Sequence, residues 1–177
     1  MRVFSLQGDD ILGTNTWKQI GQDIIGEANG DQFGYSVSIS KNGKMIAVGA
    51  IQNSGNGVYS VGHVRIYHLE DDGTSWKQIG KVINGKATYN WLGHSVSLSE
   101  IGSTIVIGAL SHMPDSTGFY VKVYCNTDSD GGNWVQIGQT FSGNATEDYF
   151  GYSVGISADG MTIICGYMGD LALFDWP

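Results

Sequence analysis

One hairpin-like segment occurs three times in this chain, and this repetition limits the fold more than any other feature. Its copies are residues 33–50, 92–109 and 150–167. A second phrase, Trp-x-Gln-Ile-Gly, begins at Trp17, Trp76 and Trp134, so the unit repeats after 59 and then 58 residues. Periods of this order indicate a solenoid, a propeller or another repeat array.

Each full unit contains four short apolar runs, A to D, separated by Gly, Asn, Asp and Ser. In the first full unit, run A alternates Val37 and Ile39 with serines, which predicts a strand. Run B, residues 44–50, is almost continuously apolar, as is typical of a strand covered on both faces. No segment has helical spacing over two turns. The chain is therefore predicted to be all-β, with β-propeller-type blades of four antiparallel strands, a β-sandwich or a two-sheet β-solenoid being the alternatives.

The repeats predict a single repeat domain over residues 1–177. Residues 33–82 and 92–140 are expected to form complete blades. Residues 1–25 supply only strands C and D of a blade, and residues 150–177 supply strands A to C of another, with 171–174 as strand C. Because propellers have roughly 4–8 blades, three are too few. We therefore expect either a homodimer that completes a six-bladed ring or a part of a longer chain.

Three phrases of the first full unit resemble the FG-GAP repeat of integrin α-subunit-like propellers. They are Phe33-Gly34, Val48-Gly49-Ala50 and residues 62–67. The second unit departs from the pattern at Leu92 and the third at Tyr167. The resemblance implies a β-propeller, a role in cell adhesion, and an extracellular or cell-surface location. The Asp-rich calcium loop that this family carries between strands A and B is missing, so calcium binding at that place is not inherited.

The net charge and the length of the apolar runs limit the classes of partner, and the cysteine positions indicate the state of the thiols. The formal net charge is −8, which repels phosphate backbones and anionic lipid heads, so we expect no nucleic-acid partner. No apolar run approaches the ~20 residues that a membrane-spanning helix needs, so no membrane insertion is expected. Residues 1–6 are too short an apolar run for a signal peptide. The two cysteines, Cys125 and Cys165, lie at strand positions that predict free thiols.

Loops on one face of the predicted blades are the candidate ligand site. The connections before strand A and between strands B and C emerge on the same face, and long loops on a rigid sheet often carry function. Their aromatic rings and polar groups suit a glycan or a protein partner. The predicted ligand-binding residues are Asp31, Tyr59, Tyr89, Asn90, Trp91, Asp148 and Tyr149. The alternative is that aromatic residues just before strand A, such as Trp91 and Tyr149, only pack over the blade edge.

One turn has the oxygen pattern of a cation site. Asn126, Asp128 and Asp130 alternate along the chain and are followed by Gly131, as in the first half of a calcium loop. The twelfth position is Ile137 rather than glutamate, which favours a polar hairpin turn. We therefore expect no cofactor, with Ca²⁺ at this turn as the alternative.

Catalytic patterns are sparse. The four histidines lack metal-ligand spacing, and no G-x-S-x-G phrase occurs. His94 aligns with Tyr35 and Tyr152, which indicates a strand residue rather than a base. The resemblance favours a non-enzymatic binding or adhesion module. Two alternatives remain: a glycan-processing, sialidase-like enzyme using a carboxylate pair such as Asp31 and Asp148, or a purely structural repeat fragment of a larger surface protein.

Overall fold

The structure, a computed structural model, describes residues 1–8, 15–111, 118–128, 132–143 and 149–167. Its regular elements in this part of the chain are β-strands and one short 3₁₀ turn, Gly55–Gly57. The strands are β1 (Phe4–Gln7), β2 (Thr16–Gln19), β3 (Phe33–Ile39), β4 (Met45–Ala50), β5 (His63–Leu69), β6 (Trp76–Asn84), β7 (Leu92–Leu98), β8 (Thr104–Ala109), β9 (Tyr120–Asn126), β10 (Trp134–Ser142), β11 (Ser153–Ile156) and β12 (Ile163–Gly166). None of the described residues forms a helix that is long and apolar enough to cross a membrane.

The strands form two complete sheets and two hairpins. Blade 1 is the antiparallel sheet β3-β4-β5-β6, and blade 2 is β7-β8-β9-β10. The N-terminal hairpin is β1-β2 and the C-terminal hairpin is β11-β12. The prediction of an all-β fold with propeller-type blades of four antiparallel strands is confirmed. The strand expected at residues 171–174 lies outside the described residues.

Apolar side chains on the two faces of each sheet hold successive blades together. Ile24, Val48 and Tyr67 belong to the cluster between the N-terminal hairpin and blade 1. Ala47 and Val96 belong to the cluster between blades 1 and 2, and a third cluster joins blade 2 to the C-terminal hairpin. Strands β4 and β8 are buried over their whole length, as their continuous apolar runs predict.

The two halves of the FG-GAP phrase meet between neighbouring blades. A Cβ atom on Gly49 would lie 2.1 Å from the carbonyl oxygen of Gly93, and one on Gly108 would lie 2.2 Å from that of Gly151. Real Cβ atoms do not approach a backbone oxygen so closely, so only glycine allows this contact. The hydroxyl of Ser36 donates to the Gly93 carbonyl at 2.6 Å, so the close approach also carries a hydrogen bond.

The first strands of successive units lie side by side. Strand β3 contacts β7, and β7 contacts β11. The backbone N–H of Leu98 donates to the hydroxyl of Ser38 at 3.0 Å across the first of these contacts. In a propeller the first strands lie nearest the central axis, so residues at equivalent places in β3, β7 and β11 come close together.

Candidate functional site

A ladder of three rings lies where the first strands meet. Tyr35, His94 and Tyr152 occupy the same position in their units, two residues after Phe33, Leu92 and Phe150. The ring centroids of Tyr35 and His94 are 5.1 Å apart, and those of His94 and Tyr152 are 5.0 Å apart. The Oη of Tyr35 lies 3.1 Å from Nε2 of His94, within hydrogen-bond distance. We call these three residues the axial ladder.

A backbone irregularity precedes each ring. The glycines Gly34, Gly93 and Gly151 have left-handed φ values of 94°, 90° and 88°. The pairing of β3 with β4, and of β7 with β8, shifts register at this place. Such β-bulges re-aim the following side chain. The glycine stands one residue before the ring in all three units, so it sets the direction in which each ring of the axial ladder points.

The ladder is accessible and has acid–base character. Tyr35 and Tyr152 are 51% and 45% exposed, so a small molecule can reach the rings from solvent. Imidazole and phenol each carry both a donor and an acceptor, and the direction of the bond between Tyr35 and His94 depends on the imidazole tautomer. Either ring can therefore be the donor of this hydrogen bond, depending on the imidazole tautomer.

Two of the predicted loop aromatics form a pair. Tyr59 and Tyr89 pack edge to face, with ring centroids 5.3 Å apart, and Tyr59 is 62% exposed. The backbone N–H of Tyr89 donates to the Tyr59 carbonyl at 3.1 Å, and that of Trp91 to the Ser60 carbonyl at 3.4 Å. These bonds join the loop between strands B and C of blade 1 to the loop that enters blade 2.

The aromatic residues just before strand A have packing contacts. Trp91 and Tyr149 are half-buried, and both have left-handed backbones, with φ values of 44° and 48°. The ring of Tyr149 lies 4.9 Å from that of Phe119. This arrangement is the one expected of residues that pack over the blade edge, and ligand binding by Trp91 and Tyr149 stays a prediction.

Asp31 and Asn90 are buried rather than exposed on the loops. The Asp31 carboxylate accepts bonds from the Ala28 N–H at 3.2 Å and from the Asn53 side chain at 2.7 Å. Asn90 is fully buried, and its Oδ1 accepts the hydroxyl of Tyr120. Both side chains thus tie their loops to the blade, and their predicted contact with ligand stays a prediction. Asp148, at the equivalent place in the third unit, lies outside the described residues.

The Asp31 cluster also contains a buried histidine. His63 is 1% exposed, and its Nε2 has no hydrogen-bond partner among the described residues. Burial lowers the pKa of His63, although the nearby Asp31 charge acts in the opposite direction. Arg65, on the same strand, pairs with Glu27 of the neighbouring loop. His63 begins strand C of blade 1 as Tyr120 begins strand C of blade 2.

Lowering the pH is expected to destabilise the fold through His63. Because its pKa is lower in the folded than in the unfolded chain, the unfolded chain binds a proton first as the pH falls below about 6.5. Stability is then complete above this pH and is lost as the pH falls through the folded pKa, with a slope of up to about 1.4 kcal/mol per pH unit. Urea unfolding between pH 7.5 and 5.5 measures this slope.

The control replaces His63 and Asp31 of blade 1 with the residues at the equivalent places of blade 2. His63→Tyr combined with Asp31→Asn reproduces the Tyr120–Asn90 pair of blade 2, which has no group that titrates in this range. The double variant is expected to lose this part of the pH dependence, whereas His68→Gln, on the opposite side of the blade, keeps it. An unchanged slope in the double variant would contradict the assignment to His63.

The predicted cation turn is only partly described. The backbone N–H of Asp128 donates to Oδ1 of Asn126 at 3.1 Å, which is the bond of a polar turn. Asp130 lies outside the described residues. Within the described ranges no group of three or more His, Cys, Asp or Glu side chains is placed to hold a metal ion, and Ca²⁺ at this turn stays a prediction.

A cleft of about 640 Å³ lies between the two blades on the face opposite the axial ladder. His68, Glu70, Lys77, Asn126 and Asp128 contribute polar groups to its wall. These groups come from the ends of strands and from the C–D turns. Asn126 and Asp128 belong to the predicted cation turn, and the sequence did not predict a cleft beside it.

Sequence reasoning placed His94 on a strand and missed the ladder. The alignment of Tyr35, His94 and Tyr152 was visible, but nothing local predicts that residues some 59 positions apart touch. The available signal was the order of strands within each unit. Equivalent residues of the first strand become neighbours when blades pack face to face around an axis.

Comparison with known proteins supports the repeat and the fold. Residues 26–67 match the FG-GAP repeat family. A solved structure of the periplasmic gluconolactonase PpgL from Pseudomonas aeruginosa superposes with a TM-score of 0.60 at 18% identity, over 95% of this chain and 43% of that one. The chain thus spans less than half the length of this relative. No curated protein matches its sequence significantly.

The interpretation as a non-enzymatic binding or adhesion module is wrong on this comparison. It took a blade repeat to indicate a binding scaffold, whereas a solved protein with the same fold is an enzyme. The prediction that the chain is not an enzyme is corrected for the same reason. The resemblance drawn from the sequence is confirmed, because the chain carries an FG-GAP repeat at residues 26–67 within propeller-type blades.

Proposed function

We propose that this chain belongs to a hydrolase that opens cyclic esters of sugar acids, with the axial ladder as its reactive site. The observation that carries the proposal is the position of His94 between Tyr35 and Tyr152, with its Nε2 3.1 Å from the Tyr35 oxygen. The gluconolactonase with the same fold suggests the substrate class.

The chemistry requires only water and the lactone. Once the Tyr35 hydroxyl turns from Nε2 of His94 to the substrate, Nε2 accepts a proton from the water that attacks the carbonyl carbon. The Tyr35 hydroxyl then donates to the carbonyl oxygen as this oxygen gains negative charge. The ring C–O bond then breaks, and the proton returns to the leaving oxygen. The product is a hydroxy acid, which ionises at neutral pH.

Charge and ring chemistry fit this substrate class. A lactone is neutral, so the net charge of −8 does not oppose its approach, whereas the same charge repels the carboxylate product and aids its release. The exposed faces of Tyr35 and Tyr152 offer apolar surface to a sugar ring. The extracellular or cell-surface location stays a prediction.

The test is hydrolysis of glucono-1,5-lactone, followed by titrating the released acid above the uncatalysed rate. We expect His94→Ala to lower kcat/KM by about 10²- to 10⁴-fold, as loss of a general base does. Tyr35→Phe removes a donor to the developing charge and is expected to cost about 100-fold.

The matched control is His68→Ala, which removes a histidine from the opposite face of blade 1 and should leave the rate unchanged. Parent protein that never exceeds the uncatalysed rate would refute the proposal. So would a His94→Ala variant that is as active as the parent.

A further inference from the structure

We propose that a second copy of this chain docks head to tail, so that the C-terminal hairpin of one copy and the N-terminal hairpin of the next complete one four-stranded blade. This inference does not depend on the proposed activity. It rests on three exposed apolar positions, on the opposite face that matches them, and on one glutamine.

Equivalent residues differ sharply in exposure along the chain. Val37 is 58% exposed while its equivalent Val96 is 9% exposed. Ile39 is 53% exposed, whereas Leu98, at the same place in blade 2, is 7% exposed. In blade 2 these positions are covered by Met45 and Ala47 of the preceding strand B, and no described strand B precedes blade 1. The exposed face of β3 is therefore shaped to receive an A–B hairpin.

Trp17 shows the same difference on the outer strand. It is 68% exposed, whereas Trp76, at the equivalent place, is 4% exposed. The indole of Trp76 donates to the Ile20 carbonyl at 3.0 Å and lies against Gly21, where a Cβ would come within 2.4 Å of the ring. The tryptophan of this repeat thus packs on the Ile-Gly corner of the strand D that precedes it.

The side chain of Gln22 forms two hydrogen bonds with the backbone of Trp76, and we call this pair of bonds the clamp. The Gln22 side chain accepts the Trp76 N–H at 2.9 Å and donates to the Trp76 carbonyl at 2.8 Å. Lys81 stands at the equivalent place between blades 1 and 2, and its ammonium group carries donors but no acceptor. The clamp therefore needs a side chain with both a donor and an acceptor, as glutamine has.

The other end of the chain presents a second, unused copy of this clamp. Gln139 follows Ile137 and Gly138 just as Gln22 follows Ile20 and Gly21. Gly138 has nearly the same φ as Gly21, 68° against 69°, and a Cβ there would meet nothing within 4 Å. Gln139 is exposed, and its corner fits Trp17 of a second copy.

The inner strands match as well. Gly166 of β12 corresponds to Gly49 and Gly108, which pack against the glycine bulge of the following blade. The three described atoms nearest to a Cβ on Gly166 all belong to Ser153, and a Cβ on Gly34 would meet nothing within 4 Å. Docking therefore brings Gly166 of one copy against Gly34 of the next. It also sets beside β1 the edge of β12 that pairs with no strand among the described residues. The interface repeats the contact that already joins blades 1 and 2.

Sedimentation velocity from about 1 to 100 μM tests the proposal on the whole chain. We expect the parent to associate, and Gln139→Lys, which copies Lys81, to weaken the dissociation constant at least tenfold. Trp17→Ser should weaken it at least as much. Gln52→Lys makes the same chemical change at an exposed glutamine outside the interface and should leave association unchanged.

Mixing the two interface variants separates head-to-tail docking from other contacts. Trp17→Ser retains an intact Gln139 corner, and Gln139→Lys retains an intact Trp17, so a mixture forms one good junction that neither variant forms alone. Restored pairing in the mixture supports the proposal. A monomeric parent at 100 μM, association of Gln139→Lys equal to the parent, or a mixture that stays monomeric would overturn it.

Discussion

Replacing Gly108 with alanine is expected to lower the free energy of unfolding by about 3 kcal/mol, at the upper end of what overpacking costs. The new Cβ would lie 2.2 Å from the Gly151 carbonyl oxygen and 2.3 Å from Oγ of Ser95. The serine can rotate, although it then gives up its 2.7 Å bond to the same carbonyl. The carbonyl belongs to the backbone of the next unit, so the hairpin β11-β12 has to move away from blade 2. Urea unfolding measures the loss.

Gly166→Ala is the matched control for this prediction. Its Cβ meets the same kind of serine, Ser153, with Oγ at 2.3 Å and the nearest backbone oxygen at 3.6 Å. Because only a side-chain end has to move, the expected cost is below about 1 kcal/mol in dilute protein. Equal losses for the two variants would mean that the serine, and not the contact between units, requires glycine.

The fold was largely predictable because its signals are local. Alternation in β3, the continuous apolar runs of β4 and β8, and the Asn-Gly type corners are properties of short segments. The repeat period then indicated that four such strands form one unit. The contact between Gly49 and Gly93 was not predictable in this way, because the two glycines belong to different blades. The FG-GAP phrase therefore indicated a repeat from the sequence alone. Its role in the contact between blades is seen only in the structure.

The site was less predictable, for two physical reasons. Asp31 and Asn90 are predicted to bind a ligand, and in the structure they also satisfy buried backbone and side-chain groups. The sequence of a loop end does not distinguish these two roles. His94 was taken for an ordinary strand residue, since the alignment gives its equivalents but not their distance. Packing of the first strands around a common axis turns a repeated position into a cluster, and only the three-dimensional arrangement reveals it.

Trp76 is expected to be the most costly single side chain to truncate. It is 4% exposed, and it joins blade 1 to the N-terminal hairpin through the Ile20 carbonyl and the Gln22 side chain. Truncating a buried aromatic residue to alanine costs about 3–5 kcal/mol, because the transfer free energy is lost and a cavity remains. Trp76→Ala should therefore lose much of the stability of a domain that has only about 5–15 kcal/mol.

A graded variant separates packing from hydrogen bonding. Trp76→Phe keeps most of the apolar surface but leaves the Ile20 carbonyl without its indole donor, so we expect a loss of about 1–3 kcal/mol. Trp17→Ala, measured in dilute protein, removes the same side chain from an exposed position and should cost less than about 0.5 kcal/mol. If Trp17→Ala and Trp76→Ala destabilised the chain equally, the repeated tryptophan would stabilise its own hairpin and not the junction between neighbouring units. The large difference that we expect instead arises because this side chain contributes only where a preceding strand D covers it.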